Sequence, residues 1–139
     1  MSLIIETPAQ RTIAAPAVEV RNLVVAFDVD GVERRVVAGI DYAIPSGRTL
    51  GVVGESGCGK SMTALALMGL TAARGRVMGS VKFEGRELIG QSEADWRGLR
   101  GDRLAMIFQE PMTSLNPVML IGRQIAEVMV LHQDMSWAK

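Results

Sequence analysis

Apolar residues recur at Val18, Val20, Leu23, Val25 and Phe27, the alternation of a strand with one inward face, and Asn22 breaks the alternation. Asp28-Val29-Asp30-Gly31 reads as a turn, and Arg34 to Ile44 as the strand returning from it. Pro45-Ser46-Gly47 closes that strand, and the apolar run Thr49-Leu50-Gly51-Val52-Val53 suits a buried one. From Lys60 the period changes. Met62, Leu65, Ala66, Met68 and Gly69 form one face of a helix expected to end near Gly69 or Leu70.

Arg76 to Glu84 returns to strand-like residues and stops at Gly85. Ser92 is placed to cap a short helix through Leu99, with Asp95 three positions on as its acidic partner. Arg103 to Phe108 reads as a further strand, Glu110 to Pro117 as a loop, and Ile121 to His132 as a last helix. Early antiparallel strands followed by strand, loop, helix and strand predict an α/β domain with an antiparallel edge.

Composition narrows this picture. A chain of 139 residues has room for one ordinary domain, and 48% apolar residues with 22% charged fit a packed core. Basic and acidic residues number 15 each, so charge gives no support to a nucleic-acid partner. One cysteine cannot form an internal disulfide, which fits a reducing compartment. Residues 6–16 are polar and alanine-rich with Pro8 and Pro16, so 1–17 read as a flexible leader, and the N-terminus carries no secretory signal. The longest weakly polar stretch, Met62 to Ala73, is too short to span a bilayer.

The candidate chemistry lies at Gly54-Glu55-Ser56-Gly57-Cys58-Gly59-Lys60-Ser61, a Gly, four residues, then Gly-Lys-Ser. At average composition that pattern arises at about one position in tens of thousands. It also stands where it can work, after an apolar run and before a helix. The glycines let successive amides turn toward phosphate oxygens, and the helix start adds unpaired donors and a positive dipole end. Lys60 supplies a mobile charge for the β and γ phosphates, Ser61 a hydroxyl for Mg²⁺, and the amides of Met62 and Thr63 extend the cradle. The ligand this implies is ATP with Mg²⁺, or another nucleoside triphosphate. Cys58 reads first as a small side chain tolerated in a tight turn, and second as a redox-sensitive thiol.

Val52 to Ser61 resembles the Walker A region of ATP-binding cassette (ABC) transporter ATPases. Met106-Ile107-Phe108-Gln109-Glu110-Pro111-Met112-Thr113-Ser114-Leu115-Asn116-Pro117 resembles the Q-loop of the oligopeptide, dipeptide and nickel importer branch. The likeness runs from Val18 to the end of the chain. It implies a P-loop NTPase-like fold, here the N-terminal portion of an ABC ATPase domain with an antiparallel β subdomain, over 18–139. It also implies that Gln109 contacts Mg²⁺ or the attacking water, with its amide able to accept and to donate. Phe27 falls where the family stacks an aromatic on adenine, and Val36 where it lines the base pocket. The partners implied are transmembrane permease subunits, touching the region after Gln109, and a second ATPase subunit in a head-to-tail dimer. Such a subunit sits at the cytoplasmic face of the inner membrane.

Segments that the family places after its Q-loop do not occur here: the signature, the strand ending in Asp, the catalytic Glu and the switch His. His132 is not that histidine and reads as a surface residue, like the Asp102-Arg103 corner; Trp96 reads as a packing residue. These absences suggest a truncated frame, a partial product or a pseudogene that binds ATP weakly or not at all and hydrolyses it poorly, and that alone is either cytoplasmic or unstable. The alternatives are a non-catalytic nucleotide-binding fragment and a soluble P-loop kinase. The resemblance favours peptides as cargo, with nickel as a close rival.

Overall fold

The computed structural model describes residues 15–71, 75–109, 115–133 and 135–137. They form two units, one running through Leu67 and over Thr71–Ile89, the other comprising Met68–Leu70 and the chain from Gly90. Most of the expected leader therefore lies outside the described residues.

In the first unit, β1 (Pro16–Val29) and β2 (Val32–Pro45) form a long antiparallel hairpin. Val29 pairs with Val32, so Asp30 and Gly31 alone make the turn, both with positive φ. That backbone matches the twist of the strands it joins, and the Asp28 carboxylate accepts from the Gly31 amide at 2.9 Å. β3 (Gly75–Phe83) pairs with the other edge of β1, and β4 (Arg86–Glu87) ends a sheet of order β2-β1-β3-β4. As the inner strand, β1 buries Leu23, Val24, Val25 and Ala26 in succession, so both its faces are covered there. Val20 and Val81 complete this core, and the helix α1 (Lys60–Leu67) packs on β1 and β2.

Asn22 does interrupt β1. The strand slips register against both neighbours around it, and Asn22 adopts φ 46°. The Asp41 carboxylate holds its amide at 3.0 Å. Such a bulge re-aims the strand while keeping pairing on either side of it.

The β3–β4 turn is held by Glu87. Its carboxylate accepts from the Val81, Leu88 and Ile89 amides at 2.9, 3.1 and 3.0 Å, and from the Ser80 hydroxyl at 2.5 Å. Burial pushes the carboxyl pKa up, but these donors outweigh it and hold it below its ordinary 4.5. A lowered folded pKa gives stability that is present above the ordinary value and lost as pH falls through the folded one. Glu87→Gln is therefore expected to cost about 1 kcal/mol at neutral pH, after allowance for partial exposure. The gap should close in urea melts as pH falls below 4.5; an unchanged gap at acid pH would remove the charge from this account.

In the second unit, α2 (Glu93–Leu99) starts as the sequence predicts, with the Ser92 hydroxyl accepting from the Asp95 amide at 3.2 Å. Trp96 is buried, its ring against the α-carbon of Gly69. Arg100 spans these parts: it donates to the Met68 and Gly69 carbonyls at 2.8 and 2.9 Å, pairs with Glu93, and lies over the Trp96 ring. The last helix, α3 (Ile121–His132), presents Ile121, Ile125, Val128 and Leu131 to solvent.

The structure departs from the sequence reading in four places. α1 ends at Leu67, with Met68 and Gly69 already in a turn. Neither Thr49–Val53 nor Arg103–Phe108 forms a strand; the latter contributes only the isolated bridge Arg100–Leu104. An apolar run becomes a strand only when a neighbour takes its amides and carbonyls; no described segment pairs with Thr49–Val53, and that single bridge is all Arg103–Phe108 has. His132 is half-buried rather than a surface residue, its ring edge 2.9 Å from where a Gly101 side chain would begin.

Candidate phosphate-binding loop

The eight residues picked out by sequence lie in the first unit, between Val53 and the first turn of α1. Gly54 through Cys58 is exposed, Gly59 is buried, Lys60 half-buried and Ser61 exposed. The Cys58 amide turns back to the Glu55 carbonyl at 3.4 Å, which curls the loop. This curl brings the Cys58 sulfur to 2.6 Å from the point where a side chain on Gly54 would begin. A side chain there would have to displace the Cys58 sulfur.

Gly59 is held more tightly. Its φ is +93°, and a β-carbon would stand 2.7 Å from the Val36 carbonyl oxygen and 3.3 Å from the Val37 side chain. The loop thus closes directly onto β2. The Gly59 carbonyl accepts from both the amide and the hydroxyl of Thr63, at 2.8 and 3.0 Å. Thr63 is the buried polar residue of the described core.

Lys60 folds over the mouth of the loop. Its Nζ donates to the carbonyls of Gly54 and Glu55, each at 2.6 Å, and reaches the Cys58 sulfur at 3.3 Å. The ammonium is thereby fixed at the loop, and it occupies carbonyls that would repel an anion. With the open end of α1 beside it, the loop has the makings of an anion cradle: a fixed cation, curled backbone and helix amides. Among the described residues no cluster of His, Cys, Asp or Glu is placed to hold a metal by itself. The hydroxyl of Ser61, one residue into α1, is the donor suited to a cation that arrives already bound to phosphates.

Of the remaining sequence candidates, Val36 is exposed and touches the loop through its carbonyl. Phe27 is half-buried in β1, opposite Arg34 on one side and Gly75 on the other. The amide of Met62 lies in the first turn of α1, whereas that of Thr63 is taken by Gly59. Gln109 belongs to the second unit and is exposed, following exposed Ile107 and Phe108. Glu110 to Ser114 lie outside the described residues. Past them, Gln124 of α3 fixes the chain by bonding both the amide and the carbonyl of Asn116 at 3.0 Å, and the Met119 carbonyl at 2.8 Å. Sequence reading missed two contributors to the loop, Val37 and the hydroxyl of Thr63; only the four-residue spacing from Gly59 hinted at the latter.

Among the described residues no helix is long and apolar enough to cross a membrane. The sequence profile of the ABC transporter family matches residues 37–138, the span from β2 through α3. The oligopeptide transport ATP-binding protein OppD of Escherichia coli (strain K12) is 45% identical over 139 residues, covering 98% of this chain and 41% of its own length. OppD of Haemophilus influenzae is 51% identical over 119 residues, covering 85% of this chain and 36% of its own. The dipeptide transport ATP-binding protein DppD of Lactococcus lactis is 44% identical over 115 residues, covering 82% and 33%. The chain thus spans about two fifths or less of the length of these relatives. The glycine-lined loop, the antiparallel sheet beside it and these matches agree: the chain belongs to the ABC transporter family, among its ATP-binding subunits of the oligopeptide and dipeptide branch, and corresponds to the N-terminal part of such a subunit's ATP-binding domain.

Proposed function

We propose that the loop Gly54–Ser61 binds the triphosphate of ATP with its Mg²⁺, in the energy-coupling subunit of a peptide importer. The observation that carries this is the Lys60 ammonium, held at the loop mouth by the Gly54 and Glu55 carbonyls. An ammonium has three protons to donate. Two go to oxygen, and the third points at the Cys58 sulfur, a weak acceptor that a phosphate oxygen would readily replace. The loop then needs no large rearrangement to receive an anion.

The residues present fit the ligand. Gly54 and Gly59 sit where a side chain would collide with the loop's own packing, so the curled backbone is kept clear. Glu55, Ser56, Gly57 and Cys58 supply the curl, and Met62 follows with an amide in the first helical turn. Mg²⁺ would neutralise phosphate charge, with the Ser61 hydroxyl as one holder; the family resemblance assigns Gln109 as a second. Val36, and Phe27 further along the sheet, are the candidates to flank the base.

Hydrolysis belongs to a longer protein that supplies the signature, the metal-binding Asp and the catalytic Glu. In that protein a head-to-tail pair of subunits would close on ATP and pass the change to permease partners through the region after Gln109. The assembly would place 18–139 at the cytoplasmic face of the membrane. Relatives named for oligopeptide and dipeptide transport favour peptides as cargo over nickel. For the loop itself, Mg-ATP titrated into the 139-residue chain in a calorimeter should bind weakly. Excess inorganic tripolyphosphate should displace it and adenosine should not. Displacement by adenosine alone would move the site away from this loop.

A further inference from the structure

We infer that the Thr63 hydroxyl is a latch that keeps the Gly59–Lys60 peptide in the orientation an anion requires. The inference rests on the reading of the loop as a phosphate cradle and assigns a positioning residue within it. A glycine flanked by loop has little to stop the peptide after it from turning over. Turned over, that peptide would present the Gly59 carbonyl where the Lys60 amide now stands, placing partial negative charge against a phosphate.

Two contacts oppose the turn. At its α-carbon, Gly59 is wedged under the Val36 carbonyl, which leaves no room for a β-carbon at φ +93°. At its carbonyl side, the oxygen receives the Thr63 amide at 2.8 Å and the Thr63 hydroxyl at 3.0 Å. The amide bond is an ordinary helical one, available to any residue at position 63. The hydroxyl bond is specific to a Thr or Ser there, and it lies away from water, since Thr63 is only 8% exposed. A buried hydroxyl with one internal partner holds that partner more firmly than a solvated one. The other loop carbonyls with recorded partners, those of Gly54 and Glu55, are likewise taken up by internal donors, the Lys60 ammonium and the Cys58 amide. Thr63 is what extends this protection to the last carbonyl before the helix.

The test compares Thr63→Val, which keeps shape and loses the hydroxyl, with Thr63→Ser, which keeps the hydroxyl and loses a methyl. Each is made in the 139-residue chain and titrated with Mg-ATP and with inorganic tripolyphosphate; circular dichroism checks folding. Thr63→Val should bind both ligands roughly five- to tenfold more weakly, the worth of one buried hydrogen bond, and Thr63→Ser should restore binding to within about twofold. A purely structural role would instead let Val, the better-buried residue, bind as well as Thr, or would leave Ser as weak as Val. Either result overturns the latch while the unsubstituted chain still binds. Absence of binding by the unsubstituted chain overturns the phosphate reading itself, and the latch with it. If Thr63→Val does not fold, a loss of binding in folded Thr63→Ser overturns the inference, and retention there with loss in folded Thr63→Ala supports it.

Discussion

Lys60→Ala is expected to abolish measurable binding of Mg-ATP and of tripolyphosphate while leaving the fold intact. The ammonium is the fixed cation of the loop, and a charge-assisted contact to a phosphate is worth about 1.5–3 kcal/mol, roughly a ten- to hundredfold change in affinity. A chain that already binds weakly would drop below detection. The cost to folding is small by comparison. Lys60 is half-buried and bonds only within the exposed loop, to two carbonyls and the Cys58 sulfur, so less than about 1 kcal/mol is at stake. Lys60→Arg should not rescue, because the single Nζ sits 2.6 Å from two carbonyls at once and a planar fork cannot reproduce that pinch. Equal titration curves for the parent and the alanine variant would remove Lys60 from the site.

The parts of the fold legible in the sequence are those dictated by neighbours along the chain. The Asp30-Gly31 turn, the break at Asn22 and the Ser92–Asp95 cap each depend on residues within a few positions, and each stands where expected. The same holds for the loop, whose glycine spacing announces a tight backbone before any contact is known. Its internal packing was not legible. That Cys58 crowds Gly54, that Val36 roofs Gly59, and that Thr63 bonds Gly59 through its side chain all depend on how the loop curls back. Period and composition carry no record of such approaches.

The two strands expected from apolar runs failed for a related reason. Val52 and Val53 are 57% and 93% exposed and Ile107 is 98% exposed, although such residues read as core. Strand character in an apolar run is conditional on a partner. β1 meets that condition twice, with β2 and β3, and is buried on both faces; among the described residues Thr49–Val53 meets it nowhere and Arg103–Phe108 only through one isolated bridge. The exposed run that leads into the phosphate loop therefore leaves the loop anchored at its far end, where Gly59 meets β2 and α1. That is why the contacts of Gly59 with Val36 and Thr63 matter more here than the strand preceding the loop.

The largest effect on stability is expected at the bulge, from Gly79→Ala in β3. Gly79 has φ +101°, and a β-carbon there would run into the carbonyl oxygens of Asn22 and Arg21, the latter at 2.6 Å. Both obstacles are backbone of β1, which is locked between β2 and β3 and cannot move aside as a flexible side chain would. The conformational cost is about 1–3 kcal/mol and the overpacking cost about as much again, so a total of about 2–6 kcal/mol is expected. Against a domain stability of about 5–15 kcal/mol, such a loss takes a large share and would unfold a marginal chain. Gly85→Ala separates the two terms. It carries nearly the same backbone penalty, at φ +83°, but a β-carbon there meets nothing within 4 Å. Urea melts should place Gly85→Ala about 1 kcal/mol below the parent and Gly79→Ala several below it. Similar losses in the two variants would show that the bulge of β1 yields, and that the close approach of Gly79 to Asn22 is not what fixes the register of the sheet.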